Sequence, residues 1–149
     1  MNHAVVVDAS VAVKWVLAEE LTDKARSLLR ASAGRPIIAP PHLHSEVANA
    51  IYQRVRTTDP TKHISEAEAT GALNRFLRFR IELRTEAALY QQALLFARTH
   101  RLPSIYDSLY VVLAQMTNAE LWTGDQRLLR AVSTVALWVR WIGDFKEPV

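Results

Sequence analysis

The sequence predicts an α/β fold in which a central parallel sheet of about five strands lies between two layers of helices. Three observations predict it: short apolar segments typical of buried strands, segments with helical spacing between them, and a length of 149 residues, 50% of them hydrophobic. Strands that are apolar throughout favour a parallel sheet covered on both faces. We therefore expect one domain, residues 1–149, built as a three-layer α/β/α sandwich.

The first elements alternate strand and helix. Residues 4–7 are apolar and largely β-branched, which predicts a strand. Residues 10–18 follow with helical spacing, which continues over residues 22–29. Residues 36–39 predict a second strand.

A helix is then expected to begin at Pro40 and Pro41. Its apolar residues recur every four positions and predict one buried stripe: Leu43, Val47, Ile51 and Val55. Ser65 and Glu68 have the spacing of a capping box and begin a further helix. Its inward-facing residues are expected to be Leu73, Phe76 and Leu77.

The second half continues the alternation. In order, the sequence predicts a short strand at 81–83, a helix at 86–100, a helix from Asp107, a strand at 120–123, a helix at 125–132 and a final strand at 137–142.

Four acidic residues border these apolar segments: Asp8, Glu46, Asp107 and Asp125. Asp8 and Asp125 follow predicted strands, and ligand sites of open α/β sheets lie outside the carboxyl ends of the strands. Glu46 borders the buried stripe of its helix, and Asp107 begins a very apolar helix. Each also has an ordinary explanation, since an Asp often caps a helix and a Glu often lies on a helix surface.

Taken together, four converging carboxylates would repel one another unless a cation were present. Mg²⁺ and Mn²⁺ prefer oxygen ligands and bridge to phosphate oxygens. The chain has no cysteine, so any metal must be held by oxygen or imidazole. A zinc site of His42, His44 and Glu46 is rejected, because on a helix His44 points roughly 200° away from His42. His42 alone remains a candidate neighbour of the acids.

The segments around the four acids resemble a known family. They read VVVDASVAVKW around Asp8, PPHLHSEVANAI around Glu46, YDSLYVVLA around Asp107 and LWTGDQRLL around Asp125. In this order, over nearly the whole chain, they resemble the PIN domain and specifically the VapC-type toxin ribonucleases of type II toxin–antitoxin systems.

The resemblance implies a PIN-like (Rossmann-like) fold and an endoribonuclease that depends on Mg²⁺ or Mn²⁺. It assigns Asp8, Glu46, Asp107 and Asp125 as the catalytic and metal-binding acids. Asp8 and Asp107 are expected to be the core ligands, and Glu46 and Asp125 to complete the site directly or through water. The expected reaction is attack of a metal-activated water on an RNA phosphodiester.

Three polar residues are implied in supporting roles. Ser10 and Thr123 match small hydroxyl residues that line the pocket in similar proteins, and Asn49 matches an Asn three positions after the second acid. Each also has a local explanation as a helix cap, a strand residue or a structural hydrogen-bonding group.

The resemblance further implies a cognate antitoxin, an RNA substrate and a homodimer. Two alternatives stay open: a housekeeping RNA-processing PIN nuclease without an antitoxin, and a PIN-like module that binds RNA or protein without cutting. The presence of all four acids favours an enzyme. Two other α/β classes fit poorly. A dehalogenase-type phosphatase needs an Asp at position 10, where this chain has Ser10. A dinucleotide-binding domain needs a glycine-rich first turn, and this chain has no glycine there.

Charge and aromatic residues give weaker indications. The net charge is +3, and all but four of the 18 basic residues are Arg, which suits a nucleic-acid partner and equally a bias in genomic base composition. The middle of the chain is rich in basic residues, which would guide RNA toward the acids or form an ordinary solvated helix surface. These residues are Arg54, Arg56, Lys62, Arg75, Arg78 and Arg80.

The four tryptophans divide into two groups. Trp122, Trp138 and Trp141 lie in or beside predicted strands and are expected in the core, whereas Trp15 is expected to line a groove near the acids. No segment has the roughly 18 uninterrupted apolar residues of a membrane span, and the amino terminus does not read as a secretory signal. We expect a soluble, cytoplasmic protein.

Overall fold

A computed structural model describes residues 3–149 of the chain. Its sheet has five strands: β1 (Val5–Val7), β2 (Ile37–Ala39), β3 (Ile81–Leu83), β4 (Glu120–Thr123) and β5 (Val139–Trp141). All neighbouring strands are parallel, in the order β3-β2-β1-β4-β5. The central strand β1 is at most 1% exposed at each of its three valines, as expected for a strand covered on both faces.

The helices of the described residues are α1 (Ala9–Ala12), α2 (Thr22–Ala31), α3 (Leu43–Arg56), α4 (Glu66–Phe76), α5 (Ala87–His100), α6 (Ile105–Met116) and α7 (Gln126–Val132). The capping box of α4 forms as predicted, with Ser65 and Glu68 each bonding the other's backbone N–H. None of these helices is long and apolar enough to cross a membrane.

The strand order reverses between β1 and β4. From β1 the chain moves outward to β2 and β3, then returns to the other side of β1 and moves outward again from β4 to β5. Right-handed connections in opposite directions place their helices on opposite faces, which produces the predicted three-layer sandwich. Such a reversal leaves a crevice at the carboxyl ends of the two central strands.

Several predicted boundaries are wrong. The helix expected at 10–18 is only α1 followed by a 3₁₀ turn at Val13–Trp15, a segment rich in β-branched valine, which lowers helix propensity. The helix after Pro40 and Pro41 begins later, at Leu43. Leu77 was expected inside but is 54% exposed, because α4 ends at Phe76 and Leu77 is its C-cap residue.

The prediction for Trp15 is also wrong. Its side chain is buried, its indole N–H donates to the carbonyl of Ala25 at 3.0 Å, and its ring packs edge-on against Phe79. Trp122 packs against Phe145, and Trp138 donates to the carbonyl of Val111 at 2.8 Å, so both contribute to packing as expected. Trp15 therefore belongs to the hydrophobic core and stabilises the fold.

Candidate active site

Asp8 lies at the carboxyl end of β1, in the crevice at the strand reversal. Its side chain is 6% exposed and accepts hydrogen bonds on both oxygens: Oδ1 from Ser10 and from the Val11 N–H, and Oδ2 from Thr123. Asp8 also caps α1. Burial raises the pKa of Asp8 to about 6, although these hydrogen bonds oppose the rise.

Ser10 and Thr123 bind the ends of β1 and β4 together through this carboxylate. Ser10 Oγ donates to Asp8 and accepts from the Gly124 N–H at 2.7 Å, and Thr123 Oγ1 donates to Asp8 and accepts from the Asp125 N–H at 3.0 Å. Each hydroxyl thus has a donor and an acceptor role that fixes its orientation. The resemblance assigned both residues to the lining of the pocket, and the structure brings both into contact with the first acid.

Glu46 reaches the site from the first turn of α3. Its Oε1 accepts a hydrogen bond from the Tyr110 hydroxyl at 2.7 Å and lies 3.1 Å from Nε2 of His42, one helical turn earlier. The His42 nitrogen is buried, so it lies beside this carboxylate away from solvent. Burial acts to raise the pKa of Glu46, but the neighbouring His42 and Tyr110 side chains outweigh it and hold the pKa below its ordinary value.

Asp107 lies in the first turn of α6. Because Ser104 is the N-cap residue, Asp107 is not a cap, and that ordinary explanation of its position is wrong. Burial raises its pKa, and the negative charges of Asp125 and Glu46 raise it further. His42 and Arg127 partly offset this effect.

Asp125 is the N-cap residue of α7. Its Oδ1 accepts from the backbone N–H groups of Arg127 at 2.9 Å and Leu128 at 3.2 Å. Together with Asp107 it lines a small cleft of about 230 Å³. Asp8 and Asp125 each cap a helix and also interact electrostatically with the other acids. The role of helix cap therefore does not exclude a role in the candidate site.

Electrostatic interactions connect the four acids. Asp125 acts on both Asp8 and Asp107, and Glu46 acts on Asp107. Within residues 3–149, no three His, Asp or Glu side chains lie close enough together to enclose a metal ion. The oxygen-only donor set and the raised pKa of two of its members nevertheless fit a hard divalent cation, which would offset this repulsion.

One predicted supporting residue stands apart, and one important residue was missed. Asn49 is exposed on α3, and its Oδ1 accepts from Gln53 at 3.4 Å; no contact with the acids is found for it in the described part of the chain. Tyr110 was read only as part of an apolar helix face. Its spacing of three residues from Asp107 was the available signal, because positions i and i+3 share a helix face.

A model of the PIN domain family matches residues 5–133. The fold is similar to the crystal structure of PAE2754 from Pyrobaculum aerophilum, with a TM-score of 0.66 and 20% identity over 94% of this chain and 92% of that one. It is also similar to VapC20 of Mycobacterium tuberculosis, a sarcin–ricin loop cleaving toxin, with a TM-score of 0.58 and 18% identity over 85% and 94%. No curated protein sequence matches significantly.

Proposed function

The chain belongs to the PIN domain family, and from this premise we propose that it is a metal-dependent endoribonuclease that acts as the toxin of a toxin–antitoxin pair. PIN domains are generally nucleases. The observation that carries the proposal is the placement of four coupled carboxylates around the strand reversal, with Asp8 buried at its centre. An acidic crevice of this kind repels a phosphodiester unless a cation joins it.

We assign Mg²⁺ or Mn²⁺ as the cofactor, held first by Asp8 and Asp107, with Glu46 and Asp125 completing the site. Bound there, such an ion would lower the pKa of a water molecule and neutralise charge developing on the phosphate. The burial of Asp8 supports this assignment, because a buried carboxylate with no cation near it is costly to ionise.

The chain's own residues supply orientation. Ser10 and Thr123 hold the Asp8 carboxylate in one position, and Tyr110 holds Glu46. The backbone N–H groups at the start of α7 hold Oδ1 of Asp125. Three of the four carboxylates, held from three different elements, keep their geometry when a substrate phosphate approaches, which is the positioning that phosphoryl chemistry requires.

RNA is the proposed substrate, and a cognate antitoxin and a second copy of the chain are the proposed partners. The likeness of fold to VapC20, a sarcin–ricin loop cleaving toxin, supports the toxin role. The Arg-rich composition supports a nucleic-acid substrate, since guanidinium groups bind phosphate in a bidentate manner.

Cleavage of RNA tests the proposal directly. Wild type is expected to cleave RNA with Mg²⁺ or Mn²⁺, and cleavage is expected to stop when a chelator is added. Asp8→Asn and Asp107→Asn are expected to lower the cleavage rate by at least about 100-fold, the loss typical of core catalytic groups. Asp23→Asn, an exposed change on α2, serves as the control. Undiminished cleavage in both active-site variants would refute the assignment.

The toxin role has a separate test. Expression of wild type is expected to arrest growth, and co-expression of a small protein encoded beside it is expected to restore growth and to copurify with the chain. An active nuclease that leaves growth unaffected would instead be an RNA-processing enzyme.

A further inference from the structure

A second, larger cleft adjoins Asp125 and Ser10, the residue whose hydroxyl binds Asp8. It has a volume of about 740 Å³ and is lined by Ser10, Gly124 and Asp125 on the side of the acids and by Lys14, Arg130 and Trp141 beyond them. We call it the Trp141 cleft. A volume of this size accommodates a small-molecule ligand or one unit of a polymer.

Trp141 forms the aromatic wall of the cleft and is held in a defined position. It ends the edge strand β5 and pairs in register with Thr123, whose hydroxyl binds Asp8. Neighbouring strands lie about 4.8 Å apart, which places Trp141 roughly 10 Å from the end of β1. A methyl group at Gly143 would lie 2.3 Å from Trp141 Nε1, so the indole packs directly against the Gly143 backbone.

The lining of the Trp141 cleft also carries two guanidinium groups, Arg127 and Arg130, that form no salt bridge within residues 3–149. Arg127 and Arg130 are exposed and, being three residues apart, lie on the same face of α7. Neither guanidinium forms a salt bridge with any carboxylate of residues 3–149. Lys14 differs, because its ammonium group pairs with Glu19 at 3.1 Å. Arg127 and Arg130 therefore remain available for an anionic ligand.

We infer that the Trp141 cleft binds one unpaired nucleotide of the RNA next to the phosphate that is cut, with its base against Trp141 and its phosphate held by Arg127 and Arg130. The inference rests on the proposed ribonuclease function. An aromatic ring and guanidinium groups lining one cleft suit a nucleotide, which offers a flat base and a negative charge. A base is accessible in this way only in single-stranded RNA, so the cleft selects loops or unpaired segments.

Binding of short single-stranded RNA tests the inference in an Asp107→Asn background, which prevents cleavage. Trp141→Ala is expected to weaken binding by about 5- to 100-fold, as stacking of one base implies, and Trp141→Phe to retain most of the affinity. Arg130→Gln is expected to reduce the slope of log affinity against log salt by about 1. Arg98→Gln, an exposed change on α5, is the matched control and is expected to bind like the parent.

A scan with RNAs that each lack one base locates the nucleotide. One abasic position is expected to weaken binding to the parent, and the same position is expected to have no further effect in Trp141→Ala. Such non-additivity would identify the base that contacts Trp141. Thermal unfolding of each variant verifies folding, and the Phe variant keeps the test valid if the Ala variant is unstable.

The outcomes separate the inference from the proposed function. If wild type cleaves RNA with a divalent cation but Trp141→Ala and Arg130→Gln bind RNA like the parent, the inference is overturned and the ribonuclease proposal stands. If wild type neither cleaves nor binds RNA, both are overturned. If Trp141→Ala loses affinity only for the copurifying antitoxin, the cleft is a protein-binding surface and the RNA subsite is refuted.

Discussion

The hydroxyl of Tyr110 donates a 2.7 Å hydrogen bond to Oε1 of Glu46 and so joins α6 to α3 at the candidate active site. Tyr110 is 1% exposed, and burial, together with the negative charge of Glu46, raises the pKa of its phenol far above the ordinary value. The phenol therefore stays a donor throughout the physiological pH range. Its ring also packs 4.8 Å from that of His42, the other neighbour of Glu46. Both contacts are to Oε1, which leaves Oε2 without a hydrogen bond among residues 3–149 and available to a ligand.

Replacing Tyr110 by Phe removes this hydrogen bond and little else. We expect Tyr110→Phe to lower RNA cleavage by roughly 10-fold, the usual effect of removing a group that orients a metal ligand. The free energy of unfolding should fall by about 1 kcal/mol, as for one lost hydrogen bond. Cleavage at saturating and limiting metal concentrations measures the effect, because a poorly oriented Glu46 raises the metal requirement.

Tyr90→Phe is the matched control, since Tyr90 is 40% exposed on α5. It is expected to leave cleavage, metal requirement and stability unchanged. Cleavage by Tyr110→Phe at the wild-type rate and with the wild-type metal requirement would show that the hydroxyl does not position Glu46.

The strands and the acids that follow them were predictable because their signals are local. A short run of valines ends at Asp8, and Leu121 to Gly124 end at Asp125, so the sequence itself places both carboxylates at strand ends. Parallel strands then bring those ends to one edge. The predicted order of strand and helix was correct for this reason, although helix boundaries shifted by a few residues.

The contacts between distant residues were not predictable from local patterns. Tyr110 and Glu46 lie 64 positions apart, and nothing in either segment indicates that α3 and α6 meet at these residues. The tryptophans illustrate the same limit: Trp15 turned into the core at a 3₁₀ turn, while Trp141, expected in the core, lines a cleft. Which side of a short element faces the core depends on tertiary packing that periodicity over three or four residues does not resolve.

The burial of Asp8 predicts an unusual dependence of stability on pH. The folded protein holds the Asp8 proton up to a pKa of about 6, whereas an unfolded Asp has an ordinary value of 3.8. In that window the folded state binds more protons, so stability falls as the pH rises through it. Two pKa units correspond to roughly 3 kcal/mol. In chelator, the free energy of unfolding of wild type should therefore decrease between about pH 4 and pH 7 by up to that amount.

Asp8→Asn should remove most of this decrease, because its side chain carries no charge. Near neutral pH and without metal, the variant should be more stable than wild type by about 2 kcal/mol, and near pH 4 the two should be alike. Urea unfolding at a series of pH values measures both. A smaller decrease will remain, since the pKa of the half-buried Asp107 is also raised. If the two proteins keep a constant difference across the series, burial does not perturb Asp8.

Divalent cations should offset the unfavourable free energy of ionising these acids in the folded protein. Addition of Mg²⁺ or Mn²⁺ near neutral pH is expected to stabilise wild type by about 2.7 kcal/mol at a hundredfold excess over the dissociation constant. For a chain of this length, each kcal/mol raises the melting temperature by roughly 3 °C. Asp8→Asn and Asp107→Asn should lose most of the shift, and Asp23→Asn should keep it. An equal shift in all four proteins would mean that the cation binds elsewhere.

Two glycines make a matched pair for the position of Trp141. Gly143→Ala brings a methyl group within 2.3 Å of the indole nitrogen and 2.8 Å of Cδ1, so the rigid ring must leave its place against the backbone. We expect a loss of stability of about 1 to 3 kcal/mol, as for overpacking, and a change in tryptophan fluorescence. RNA binding should weaken as it does in Trp141→Ala, because the aromatic wall of the Trp141 cleft is displaced.

Gly71 provides the control. It lies inside α4, where an added methyl meets only the end of the Arg75 side chain at 3.3 Å. Gly71→Ala should therefore stabilise the protein by about 0.5 to 1 kcal/mol, through better helix propensity, and leave RNA binding unchanged. Wild-type RNA affinity in Gly143→Ala, combined with a shifted tryptophan spectrum, would separate the indole from RNA binding.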